Sequence, residues 1–172
     1  MKRSITPTTV ERVLREEDFI VSITDTKGRI SYCNRIFIEF SGYSEAELLG
    51  SQHNIIRHPD MPRAVFKLLW DKIQNKSECF AYVKNMSKDG GFYWVFANVT
   101  PTFDPSGNIT GYISVRRKPK LSGVQTVTKL YAAMLDAEKK AGAANAIVVS
   151  SKILTDLLTE KGLSYDELIL AI

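Results

Sequence analysis

The sequence contains few of the residues that build metal, disulfide and nucleophilic sites. Its 172 residues include two cysteines, two histidines and two tryptophans. Cys33 and Cys79 lie on separate strand-like segments without metal-ligand spacing, so we predict buried free thiols and not a disulfide. There is no continuous run of about 18 apolar residues, so we expect no membrane span. The N-terminus is basic but lacks the apolar core of a secretory signal, which favours the cytoplasm.

The composition, by contrast, allows a substantial core. Hydrophobic residues make up 44% of the chain and charged residues 24%, which is typical of a globular protein and argues against disorder. The length fits one domain with an appendage. We recognise no nucleophile–base set, metal-ligand cluster or glycine-rich phosphate loop in the sequence, and we therefore do not expect an enzyme.

The net charge is +4, and the densest basic cluster reads Arg116-Arg117-Lys118-Pro119-Lys120. Such a cluster can indicate binding to nucleic acid or to an anionic surface. Here it follows a strand-like run, carries no interleaved aromatic residues and is accompanied by no evident recognition helix. We interpret it as the solvent-exposed end of a strand and expect no nucleic-acid partner.

The hydrophobic pattern predicts a helix over 8–17 and then two strands over 19–24 and 30–34. Two short helices follow, and the second is opened by a capping box of Ser44 and Glu47. An amphipathic helix over 62–74 comes next. Three further strands are predicted over 79–84, 92–100 and 109–116. This order predicts an α+β fold, in which a five-stranded antiparallel sheet carries the helices on one face.

The pattern changes to a helical one after residue 120. The apolar residues at helical spacing are Val127, Leu130, Tyr131 and Leu135, and the alanine-rich stretch 141–146 extends the predicted helix. A second capping box, Ser164 with Glu167, opens a last short helix. The amphipathic extension over 121–172 packs on the sheet or meets a partner helix.

Both histidines of the chain fall in one segment, 53–62, which reads HNIIRHPDMP. Its prolines restrict the backbone and predict a short helical turn that opens into a loop. Such a segment can present Arg57, His58 and Asp60 to a polar ligand. The alternative is a surface loop in which Arg57 pairs with Asp60 and the histidines are solvated. The segment alone does not distinguish the two.

The order of these elements, with several marked segments, resembles a PAS domain over residues 18–117. The segments are ITD (23–25), GRI (28–30), NRIF (34–37), SGYSEAELLG (41–50), KDG (88–90), YWV (93–95) and GYI (111–113). Within that superfamily, HNIIRHPDMP, VKN (83–85) and YWVFANVTP (93–101) are similar to the sensor of bacterial aerotaxis receptors. The chain then divides into an N-terminal helical cap (1–17), a PAS sensor domain (18–120) and a helical extension (121–172).

The resemblance implies noncovalent binding of FAD and relay of the flavin redox state to a chemotaxis-type signalling partner. The positions that match flavin-binding or coupling positions of the family are Asn34, Arg57, His58, Asp60 and Asn85. Arg57 suits a pyrophosphate, and Asn85 suits the polar edge of a flavin ring. Two aromatic residues join them: Trp70, from the apolar face of the 62–74 helix, and Tyr93, which we expect to face inward.

Two other functions stay open. A haem-based gas sensor would use His53 or His58 as axial ligand to haem b, and a cofactor-free PAS module would serve dimerisation only. Flavin-binding relatives often carry a tryptophan where this chain has Cys79. A blue-light photosensor is disfavoured because residues 52–56 contain no reactive cysteine. We expect the partner, a signalling protein or a second copy of the chain, to contact the N-terminal and C-terminal helices.

Overall fold

The structure, a computed structural model, describes residues 5–172. Its centre is a five-stranded antiparallel sheet of order β2-β1-β5-β4-β3. The strands are β1 (Ile20–Asp25), β2 (Ile30–Cys33), β3 (Cys79–Met86), β4 (Phe92–Phe103) and β5 (Ile109–Arg117). Between β2 and β3 lie α1 (Arg35–Ser41), α2 (Glu45–Leu48), a 3-10 helix (His53–Ile56) and α3 (Arg63–Gln74). The predicted α+β arrangement is confirmed.

Local signals place the short helices. Asn34 caps α1 by accepting from the Phe37 amide, and Gly42 ends that helix in the left-handed region at φ 72°, where glycine is favoured. The predicted capping box of Ser44 and Glu47 opens α2. These caps satisfy backbone groups that a helix end leaves unpaired, so the chain turns sharply at both ends of α1 and returns to the sheet.

The N-terminal helix predicted over 8–17 is wrong. The described part of this segment is extended and runs beside the start of β4, where Thr8 donates to Gly90 O and Arg12 donates to Phe92 O. Of the two residues assigned to one helical face, Leu14 is buried and Val10 is 63% exposed. Backbone pairing with a distant strand has overridden the local spacing. Residues 1–4 of the predicted cap lie outside the described residues.

The helical extension consists of α4 (Leu121–Lys161) and α5 (Tyr165–Ala171). The expectation that the alanine-rich stretch extends one helix is wrong, because the chain reverses at Gly142 (φ 74°, ψ 170°), a backbone region essentially restricted to glycine. The two halves of α4 lie side by side, so that Glu138 before the turn accepts from Ser150 after it, at 2.7 Å. The predicted capping box of Ser164 and Glu167 opens α5.

The extension covers the free edge of β3. Tyr131 of α4 donates to Tyr82 O and Tyr165 of α5 donates to Phe80 O, both at 2.9 Å. The Tyr82 hydroxyl in turn donates to Ile172 O at 2.8 Å. Unpaired strand edges invite association with other chains, so these helices complete the sheet as well as burying apolar residues.

Helix α4 also bears on the expectation of no membrane span. Among the described residues, it is long and apolar enough to cross a membrane by length and composition alone. The sequence criterion of a continuous apolar run overlooked it, because isolated polar residues interrupt the stretch. Mostly buried core helices of folded proteins pass the same test, but only 17% of the apolar stretch is buried here. The helix is broken at Gly142.

Candidate functional site

A cavity of about 250 Å³ lies between the sheet and the segment that runs from the 3-10 helix into α3. The strands leave this space because their side chains are small here: Thr24, Val83, Ala97, Val99 and Ser114 line it. Close-packed interiors contain few voids larger than a water molecule. The volume approaches the lower end of the range for small-molecule sites, roughly 300–1,000 Å³.

Helix α3 supplies the apolar wall of the cavity through Phe66, Leu69 and Trp70. Trp70 meets Tyr112 edge to face, with 5.5 Å between ring centroids. The backbone of Gly28 closes the same end, where a Cβ would lie 3.2 Å from the Trp70 ring. A flat aromatic wall opposite small sheet residues suits a planar apolar ring, and the structure places the predicted residue Trp70 in it.

Arg57 and Asn85 also line the cavity, and their backbones form a β-bridge at the β3 edge. The Arg57 guanidinium donates to Met61 O at 3.1 Å and lies 4.5 Å from the centre of the Phe66 ring. Burial lowers the pKa of Arg57, and the Glu138 carboxylate opposes that shift. The buried Asn85 Nδ2 has no hydrogen-bond partner within residues 5–172, so the cavity presents a donor without an acceptor.

Arg116 is a cavity residue that the sequence analysis missed. The prediction that the basic cluster 116–120 is the solvent-exposed end of a strand is wrong for Arg116, which is 2% exposed. It donates to Ser22 Oγ at 2.6 Å and lies 4.4 Å from the centre of the Phe37 ring. Strand alternation was the available signal, because residues 114 and 116 share one face of β5 while Arg117 points to the other.

His53 continues this polar cluster along the cavity wall. Its Nε2 lies 3.0 Å from Ser22 Oγ, and its ring stacks on Phe37 with 5.8 Å between centroids. Burial lowers the pKa of His53 to about 3, and the Arg116 charge acts in the same direction. The imidazole is therefore neutral near pH 7.

His58 and Asp60 lie beside the cavity and do not line it. The buried His58 accepts through Nδ1 from the Asp60 amide at 3.1 Å, and its ring meets Phe92 edge to face. Asp60 pairs with Lys84 at 2.7 Å. Burial and the Lys84 charge lower the pKa of His58. The structure thus gives these two residues contacts that fix the loop after Arg57.

Asn34 and Tyr93 are also outside the cavity lining. Asn34 has a full set of backbone partners: Oδ1 accepts from Val21 and Phe37, and Nδ2 donates to Phe19 O. Tyr93 faces inward as predicted and is fully buried, while its hydroxyl has no partner in the described chain. Burial raises the pKa of Tyr93, so the phenol is neutral.

The helical extension is joined to this site through Glu138. Helix α3 has no side-chain cap of its own; instead Glu138 Oε1 accepts from the amides of Arg63 and Ala64, at 2.8 and 3.3 Å. A carboxylate at a helix N-terminus satisfies free amides and favours the helix dipole. Glu138, which lies just before the turn at Gly142, therefore caps the helix that forms the apolar wall of the cavity.

Arg57 borders a second space as well. A groove of about 490 Å³ lies between the loop after Arg57 and the Gly142 turn, and its lining includes Arg63, Lys139 and Glu138. Three cationic side chains against one carboxylate leave this groove positive. Arg57 lines both this groove and the cavity.

The cysteines and the possible metal ligands are the remaining candidates for chemistry. Cys33 and Cys79 are free and buried, as predicted, and burial raises the pKa of the Cys79 thiol to about 12. Within residues 5–172, no group of three or more His, Cys, Asp or Glu side chains is arranged to hold a metal ion.

Known proteins with similar sequences share this fold. A family model described as PAS fold matches residues 30–116. The chain belongs to the PAS family. It is 35% identical to the aerotaxis receptor of Escherichia coli over 149 residues, which are 87% of this chain and 27% of the receptor. It is 26% identical over 110 residues to the nitrogen fixation regulatory protein of Klebsiella pneumoniae, covering 64% of this chain and 22% of that protein.

Solved structures agree on the architecture. The light-state structure of the blue-light photoreceptor Aureochrome1 LOV superposes with a TM-score of 0.54 at 26% identity, covering 70% of this chain and 92% of that one. This PAS domain spans about a quarter of the length of the curated relatives it matches. It is thus a sensor-type PAS domain related to an aerotaxis receptor and to LOV photoreceptors.

Proposed function

We propose that this PAS domain binds FAD noncovalently and reports the redox state of the flavin to a signalling partner. The observation that carries the proposal is a cavity with an aromatic wall and unpaired buried donors, Asn85 Nδ2 and Arg116 Nε and Nη1. Unpaired buried donors are costly, and a flavin ring offers carbonyl and nitrogen acceptors at one edge and apolar area elsewhere. The likeness to an aerotaxis receptor supports the same ligand class.

The groove beyond Arg57 favours a dinucleotide over a smaller flavin. Arg57 lines both the cavity and the groove, and Arg63 and Lys139 line the groove. A guanidinium and further cations suit a pyrophosphate. When bound, the flavin supplies reversible electron uptake. Trp70 would pack against the ring, and Arg57 would bind the pyrophosphate. The free thiols fit a cytoplasmic location, which is part of the proposal.

The visible absorption spectrum of the purified protein, with chromatography of the released cofactor, tests this proposal. We expect bands of oxidised flavin and release of FAD. A Soret band would support haem instead, and a colourless protein that does not take up added FAD would support a cofactor-free module. His53 is the cavity-lining histidine, but its Nε2 already lies 3.0 Å from Ser22 Oγ, which disfavours haem ligation.

Substitutions locate the flavin. We expect Arg57→Ala, His58→Ala and Asp60→Ala to retain less FAD than Lys76→Ala, an exposed control whose side chain contacts Gly107 O. Arg57→Ala should have the largest effect, because Arg57 lines the cavity itself. Equal retention in all four variants would contradict the assigned position.

The proposed output is the helical extension, since the predicted N-terminal helix is not formed. A ligand shifts a conformational equilibrium only through unequal affinity for two states. Glu138 links the extension to α3, so a change at the cavity wall reaches residues 124–141. Amide exchange of that segment should differ between oxidised and dithionite-reduced protein. Identical exchange would make the extension a fixed scaffold, leaving the partner to contact another surface.

A further inference from the structure

Arg116 is a buried cation without a counter-ion among the described residues. Its side chain makes one hydrogen bond, to Ser22, while Nε and Nη1 have no acceptor in the part of the chain that the structure describes. The groups near it are the Phe37 ring, Ser22, Tyr93, Cys33 and His53. All of them are neutral near pH 7, because burial raises the pKa values of Tyr93 and Cys33 and lowers that of His53.

The guanidinium keeps its charge in this setting. Burial lowers the pKa of Arg116 to about 10, which still leaves it protonated near neutrality. A buried charge is normally paired or bound to a ligand, since transfer from water is unfavourable. Arg116 lines the cavity, so its positive charge acts on whatever occupies that space.

Ser22 and Phe37 fix the orientation of Arg116. A guanidinium only donates hydrogen bonds, so Ser22 Oγ accepts from Arg116, and the same oxygen lies 3.0 Å from His53 Nε2. The Phe37 ring packs against the guanidinium. These contacts hold the positive charge in place without a negative partner among the described residues.

We propose that Arg116 sets the charge preference of the cavity, so that the domain binds reduced flavin more tightly than oxidised flavin. This rests on the proposed function. Reduction by an external donor such as dithionite adds two electrons and, at N5, one proton, which leaves the ring with one net negative charge. The positive charge of Arg116 in the cavity wall favours the ring that carries this negative charge. Charge placed near a flavin ring tunes its electronics.

The test compares the dissociation constants of oxidised and reduced FAD for the wild type, Arg116→Gln and Arg116→Lys. In the wild type we expect the reduced form to bind more tightly, which places the midpoint potential of bound flavin above that of free flavin. Arg116→Gln should shift the ratio of the two constants by about tenfold. That shift corresponds to a fall of about 30 mV in the two-electron midpoint potential. Arg116→Lys keeps the charge and should retain part of the preference.

The control is Arg117→Gln, the same substitution one residue further along β5 on an exposed side chain. It should leave the ratio unchanged. An unchanged ratio in Arg116→Gln with normal binding of oxidised FAD would overturn the inference and leave the proposed function intact. If that variant does not fold, the wild-type protein decides: a bound midpoint potential at or below that of free flavin contradicts the inference. Failure of the wild type to bind any flavin contradicts the proposed function itself.

Discussion

Arg116 and Glu138 are two buried charges that each share a space with Arg57 and have opposite surroundings. Glu138 Oε1 accepts three hydrogen bonds, from two amides of α3 and from Ser150. Arg116 makes one, and two of its nitrogen atoms have no acceptor within the described chain. The first charge joins two parts of the protein, whereas the second lies unpaired in the wall of a cavity.

The difference separates structural polar groups from ligand-binding ones. A satisfied buried network makes the fold rigid, while a partly satisfied one lowers its stability. Protein groups that complete one another need no ligand. The unpaired donors of Arg116 and Asn85 both belong to residues that line the cavity. The contrast predicts that losing Glu138 destabilises the protein and that losing Arg116 does not.

The largest effect is expected from Glu138→Ala. The substitution removes three charge-assisted hydrogen bonds and leaves the N-terminus of α3 uncapped, so the free energy of unfolding should fall by about 3 kcal/mol. Urea denaturation measures it. Asp136→Ala is the matched control on the same helix, because Asp136 is exposed and pairs with the exposed Lys140. A fall of similar size in both variants would mean that Glu138 does not act through α3.

Much of the fold could be predicted because its signals are local. The alternation of apolar and polar residues predicted the strands. Two capping boxes predicted the starts of two helices: Ser44 with Glu47, and Ser164 with Glu167. The extended N-terminal arm and the turn at Gly142 could not be predicted this way. The arm depends on backbone pairing with a distant strand, and Gly142 is flanked by residues that favour a continuous helix.

The site was predicted less completely than the fold. Arg57, Trp70 and Asn85 line the cavity, but Arg116 was missed because it stands among four other residues of a basic-looking run. Its burial depends on which face of β5 points inward, and that depends on tertiary packing. Glu138 was missed because the contact between α3 and α4 joins residues 74 or more positions apart.

A smaller effect is expected from Gly142→Ala, which tests whether the Glu138 contact depends on the turn. A Cβ would meet nothing within 4 Å at this position, so the cost is the backbone conformation alone, about 1–3 kcal/mol. Thermal unfolding checks it. Asn145→Ala, on an exposed helical residue just beyond the turn, should be neutral or slightly stabilising. If Gly142→Ala is equally neutral, the two halves of α4 do not depend on this turn.

The pH dependence of stability tests the surroundings of Arg116 through His53, which shares Ser22 Oγ with it. Its folded pKa, about 3, lies below the unfolded value of about 6.5, so the unfolded chain takes up the proton first. Stability is therefore fully present above pH 6.5 and falls as the pH drops toward 3, by up to about 1.4 kcal/mol per pH unit. His58 acts in the same direction. Denaturation at pH 7, 6 and 5 measures the slope. His53→Asn should flatten it, and a slope equal to that of the wild type would mean that His53 titrates normally.

The smallest effect, and the one of opposite sign, is expected from Arg116→Met in the flavin-free protein. Methionine fills a similar volume without a charge, so the variant loses the Ser22 hydrogen bond but also the cost of an unpaired buried cation. Replacing buried charges by apolar side chains is often neutral or stabilising, and we expect a gain of about 1 kcal/mol in the free energy of unfolding. Arg117→Met, on the exposed face of β5, should change stability by less than about 0.5 kcal/mol.

Urea denaturation of the two variants without and with saturating FAD measures the contrast. At the same concentration, added FAD should stabilise the wild type more than Arg116→Met, because the stabilisation grows with the logarithm of the ligand's affinity for the folded state. A loss of several kcal/mol in the flavin-free variant would place Arg116 with Glu138, as a charge whose partners lie within the protein.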